Sequence, residues 1–117
     1  MFLELAHTKL DVFQVSKAFT LACYDQTKYF PSEEKFGIMS QIRKAVLSVH
    51  LNVAEGCSRK SAAERKRFFE IARGSLIEVE TALDIAVKLN YTSIEKLKEL
   101  GEFLQRSFQI ISKMISK

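Results

Sequence analysis

Two stretches of this chain carry residue types that could act on a phosphodiester. In Arg43-Lys-Ala-Val-Leu-Ser-Val-His50 an arginine and a histidine stand seven positions apart. On a helix that spacing places both side chains on one face, as an acid–base pair acting on phosphodiester requires. The second stretch holds Arg59, Lys60, Arg65, Lys66 and Arg67 against a single acid, Glu64. Its local charge equals the +4 of the whole chain, so the other thirteen bases balance the other thirteen acids. One corner of the protein is basic; the rest is neutral. Such a cluster suits phosphate contacts, which are salt-sensitive and largely sequence-independent. The competing reading is a solvated face, whose bases would oppose the N-terminal dipole of the helix that follows.

Other chemistry is sparse. There is no phosphate loop, no dinucleotide fingerprint and no Cys-x-x-Cys. His7, His50, Cys23 and Cys57 are too dispersed for a recognisable zinc site, so neither metal nor cofactor is expected. Ser75 lacks a histidine nearby in sequence. Glu55 and Glu78 could pair across two helices, where structural hydrogen bonding is favoured over acid–base work. With 18 Lys and Arg in the chain, an Arg–His spacing of this kind arises easily by chance. The expected function is therefore non-enzymatic, with nucleic acid or a nucleoprotein as the partner of the Arg59–Arg67 corner. A protein–protein scaffold and a ribonuclease using Arg43 and His50 are the alternatives.

The elements that must position these residues are helical. A chain of 117 residues with one proline and four glycines reads as a single domain with little punctuation for strands. Periodicity and caps give four helices, at about 9–28, 33–56, 61–89 and 93–115. Pro31 stops the first. Ser32 with Glu33 and Glu34 starts the second, although Gly37 can delay its regular part to Ile38, and Gly56 is placed as its C′ residue. Ser61-Ala-Ala-Glu64 and Thr92-Ser-Ile-Glu95 both match the capping box. Short connections make consecutive helices antiparallel, giving an all-α, up-down four-helix bundle. Two lone cysteines and the lack of a signal-like start or a membrane-length apolar run point to the cytoplasm.

Helices one and two carry more apolar surface than one core can take. Val12, Val15, Phe19 and Ala22 form one stripe of the first, and Leu10, Phe13, Leu21 and Tyr24 form another. The second helix has Ile38, Ile42, Val46, Val49 and Val53 on one flank and Leu47, Leu51 and Ala54 on the other. Surplus apolar faces call for further subunits, since large exposed patches are rare on monomers. Between the flanks runs a polar line, Gln41, Ala45, Ser48, Asn52, Glu55 and Arg59, within roughly 80° of arc. Ser75 and Glu78 on the third helix are its expected partners. Gly74 and Gly101 lie inside helices, and Gly74 is expected to mark a close helix approach.

An ordered set of residues matches a known pattern: Phe30-Pro31, Glu34, Phe36-Gly37, Gln41-Ile42, Ser48, Asn52-Val53-Ala54-Glu55-Gly56, Arg59, Ser61, Phe68, Ala72, Gly74-Ser75, Glu78, Glu80 and Leu89-Asn-Tyr91. Over about residues 8 to 115 the chain resembles the bacterial four-helix bundle family called 23S rRNA intervening-sequence proteins. The resemblance implies a ring-like homopentamer and a largely undefined biochemical role. It marks Gln41, Ser48, Asn52, Glu55, Gly56, Arg59, Gly74, Ser75 and Glu78 as motif and assembly residues. The chain is also similar to the accessory variability determinant of diversity-generating retroelements, a basic pentameric barrel that binds nucleic acid and its reverse transcriptase. The family often has proline where this chain has His50, and glycine where it has Asn90. The Arg43–His50 spacing, in turn, resembles the Arg-x(4–6)-His motif of helical endoribonucleases of the HEPN class.

Overall fold

Apolar residues at helical spacing bury one stripe from each of four helices. A computed structural model describes residues 1–117 and contains α1 (Asp11–Thr27), α2 (Ile38–Ser58), α3 (Ala62–Lys88) and α4 (Lys98–Ser116), with no strand. Consecutive helices pack on one another and α4 closes on α1, with no diagonal backbone approach. Antiparallel order is visible in the side-chain pairs: His50, late in α2, meets Ser16, early in α1, while Arg43 meets Thr27 at the other end. Phe19, Ile42, Val46, Leu76, Val79 and Ile111 lie at the centre of the core.

The helix ends differ from the sequence reading in instructive ways. Ser32 does not start α2; Ser32–Glu34 form a separate 3-10 turn, and the regular helix begins at Ile38, the delay that Gly37 allows. Glu34 then folds over Gly37, where a Cβ would collide with its carboxylate, and accepts from the Ile38 N–H at 3.5 Å and the Tyr91 hydroxyl at 2.7 Å. One carboxylate thus meets the start of α2 and ties it to the α3–α4 connection. At the third helix Ser61 caps as expected, accepting from the Glu64 N–H at 3.0 Å.

The second capping box does not form. The chain takes a separate turn through Ser93–Leu97 before α4 begins at Lys98, leaving the Thr92 hydroxyl buried without a partner. The reason lies upstream: Asn90 adopts a left-handed φ of 63°, and the Tyr91 N–H returns to the Ala86 carbonyl at 2.9 Å. That is the Schellman closure, with asparagine in the usual glycine place. It fixes the direction of the chain before Thr92 can cap a helix.

Glycine use also needs correction. Nothing lies within 4 Å of where a Cβ would stand on Gly74 or Gly101, so neither marks a close approach within the subunit. Gly56 does: it is buried inside α2 rather than following it, and an added Cβ would lie 2.6 Å from Phe69 Cε1. The α2–α3 pair is drawn together at that point.

Candidate nucleic-acid interface

The α2–α3 turn, Arg59–Ser61, lies at the end of the bundle where α1 begins and α4 finishes. The five predicted bases come together here but divide into two kinds. Arg59 donates to Glu55 Oε2 at 2.8 Å, and its guanidinium carbon lies over the Phe68 ring, 4.9 Å from the centre. Arg65 is half-buried, and its Nη1 donates to the Arg59 and Lys60 carbonyls at 3.0 and 2.8 Å. A cation on the carbonyls just past a helix C-terminus is favoured by charge and hydrogen bonding. Lys60, Lys66 and Arg67 are exposed and have no ion pair or hydrogen bond within the chain. Two bases are bonded within the turn and three are not.

The fold adds a cation that the linear reading missed. Lys117, just past the end of α4, lines the same cleft as Arg65 and Lys66, over a floor of Leu10, Phe69 and Met114. Up-down topology was the signal that could have found it, since the end of helix four must return to the α2–α3 turn. Arg106 is spoken for by Asp11 at 2.7 Å.

Above this end the polar line forms a seam between α2 and α3. Ser48 Oγ and Ser75 Oγ are 2.9 Å apart. Asn52 Nδ2 donates to the Ser48 carbonyl at 2.8 Å and to its hydroxyl at 3.2 Å. Glu55 turns instead to Arg59. Glu55 and Glu78 do not meet: they lie on opposite sides of the Ser48–Ser75 contact, about 15 Å apart along the antiparallel helices. Gln41 and Glu78 are exposed, and Ala45 is buried. The line is therefore a half-buried seam in its middle and open at both ends.

Arg43 and His50 both face α1, about 10 Å apart along α2. Arg43 Nε donates to Thr27 Oγ1 at 2.9 Å, its Nη2 donates to the Tyr24 carbonyl at 3.1 Å, and its guanidinium lies 4.9 Å from the Tyr24 ring. It fastens the last turn of α1. His50 Nδ1 is 2.7 Å from the fully buried Ser16 Oγ, and its ring packs 4.6 Å from that of Phe13. Each side chain ties α2 to a different end of α1, and they do not converge on a common reacting atom.

Desolvation, helped by the Lys17 ammonium, holds His50 below the usual imidazole range. Its neutral form is thus favoured by folding. Above pH 6.5, the ordinary histidine value, the contribution is intact. As pH falls below that value the unfolded chain takes up a proton first, and stability is lost down to the depressed folded value. Urea midpoints measured from pH 8 to 5 are expected to fall more for the wild type than for His50→Gln; parallel curves would show that His50 is not the group responsible.

The family model described as 23S rRNA-intervening sequence protein matches residues 8–117. A crystal structure of a protein of unknown function from the S23 ribosomal protein family of Bacteroides thetaiotaomicron superposes with a TM-score of 0.82. The two share 19% identity over 91% of this chain and 99% of the other, a likeness that shows the fold. No curated protein matches the sequence.

Proposed function

We propose, from the premise that this chain belongs to the 23S rRNA-intervening sequence protein family, that it is a non-enzymatic homo-oligomeric bundle that binds nucleic acid, or a nucleoprotein, through its basic end. The observation that carries the reading is the set of three unpartnered cations, Lys60, Lys66 and Arg67, around a turn that Arg59 and Arg65 hold in place. Cations already committed to structural contacts would have to be released before meeting phosphate; these three do not. One such end per subunit, repeated in an oligomer, raises avidity without new contacts.

The assembly is supported by the outer face of α1 and α2. Leu21 is 62% exposed, Leu51 54% and Leu47 40%, and Leu10 and Tyr24 extend the same strip. The family resemblance suggests a five-membered ring. Free thiols at Cys23 and Cys57 agree with a reducing cytoplasm, and no helix is long and apolar enough to cross a membrane. The ribonuclease reading has less support, because Arg43 and His50 are each engaged by α1.

Two measurements test the proposal. Light scattering at micromolar concentration is expected to give a mass several times that of one chain; a monomer would overturn the assembly. Titration of RNA across a salt series is expected to give affinity that falls steeply with salt. No binding at low salt would overturn the nucleic-acid reading and leave a protein scaffold.

A further inference from the structure

One exposed arginine is held more firmly than its contribution to stability explains. Arg59 Nη2 is bonded to Glu55 Oε2 at 2.8 Å, and its guanidinium carbon lies over the Phe68 ring, 4.9 Å from the centre. Its backbone is fixed too, because Arg65 donates to its carbonyl at 3.0 Å. Yet the Arg59 side chain keeps 42% of its exposure. Exposed ion pairs contribute little to folding, whereas ordering a long side chain costs conformational entropy. With its central carbon 4.9 Å from the centre of a phenyl ring and one nitrogen on a carboxylate, the guanidinium is a pre-positioned planar cation that stays partly open to solvent.

We propose that Arg59, seated on Phe68 and oriented by Glu55, is a stacking platform for one unpaired nucleobase, with Lys60, Lys66 and Arg67 taking the neighbouring phosphates. This rests on the nucleic-acid reading of the basic end and narrows it to single-stranded nucleic acid. Bases in a duplex are stacked on one another and present no free face, whereas an unpaired base stacks readily on an arginine plane. Phe68 is half-buried beneath Arg59, so the guanidinium, not the ring, is the available surface. Lysine cannot replace it, since an ammonium has charge but no plane.

The test compares binding of a single strand of about twelve nucleotides with binding of its blunt duplex at matched salt. A purely electrostatic patch favours the duplex, whose charge density is higher. The wild type is expected to favour the single strand, and Arg59→Lys to lose about tenfold in single-strand affinity while duplex affinity stays within about twofold. Glu55→Ala frees the guanidinium and removes an acid, so duplex binding tightens while the single-strand preference falls. Should Arg59→Lys not fold, as monitored by circular dichroism, that second variant decides. A wild type that favours the duplex, or variants that keep its single-strand preference, would overturn the platform and leave the basic end intact. Failure of the wild type to bind either oligonucleotide would instead overturn the nucleic-acid reading itself.

Discussion

Replacing Lys60, Lys66 and Arg67 together with alanine is expected to lower RNA affinity at low salt by about a hundredfold or more, and to leave the fold unchanged. Each phosphate contact to a single strand contributes about 0.7 to the slope of log affinity against log salt. Removing three should therefore flatten that slope by about two. The thermal midpoint should barely move, because these side chains are exposed and hold nothing within the subunit. Arg65→Ala makes the informative contrast. It removes two hydrogen bonds, to the Arg59 and Lys60 carbonyls, and is expected to cost about 1 kcal/mol of stability. An unchanged salt slope in the triple variant would show that the bound surface lies elsewhere on the molecule.

Gly56→Leu is expected to destabilise the subunit by about 3 kcal/mol, read from the urea midpoint. A Cβ at this position lies 2.6 Å from Phe69 Cε1 and 2.9 Å from Cδ1, inside any permitted contact. Phe69 is 2% exposed, so the ring gives way only by displacing core side chains or by swinging into the cleft it floors. Widening the α2–α3 spacing would also part Ser48 from Ser75. Gly56→Ala sets a smaller clash against a helix-propensity gain of about 1 kcal/mol and should cost less. Adding Phe69→Leu to Gly56→Ala should recover part of the loss, and additive effects of the two changes would disprove the contact. Gly74→Ala is the control: with open space around it, the same propensity gain should appear as stabilisation.

Both predictions turn on contacts that the sequence only partly disclosed. Hydrophobic period, one proline and the Ser61 cap were enough to place four antiparallel helices, because burial of one stripe per helix is a local pattern with a single economical packing. The second stripes of α1 and α2 were equally legible, and Leu21, Leu47 and Leu51 are exposed on the subunit. The charge count found the basic corner because its members are adjacent in the chain.

Roles within that corner were decided by the tertiary structure. Arg65 and Lys66 are neighbours in sequence, yet one bonds the end of the preceding turn and the other meets solvent. Spacing gives the direction of a side chain about its own helix; it does not say which carbonyl or ring of another segment waits there. The same ignorance put close packing at Gly74 instead of Gly56, and a helix start at Thr92 instead of Lys98. It also set Arg43 and His50 on one face without revealing that the face belongs to α1. By itself the sequence determined the helices, their order and the net basic corner, since these follow from local periodicity and composition. Only the tertiary structure separated the cations bonded within the turn from those with no bond in the chain, because that difference depends on how the turn between two helices folds back within hydrogen-bond reach.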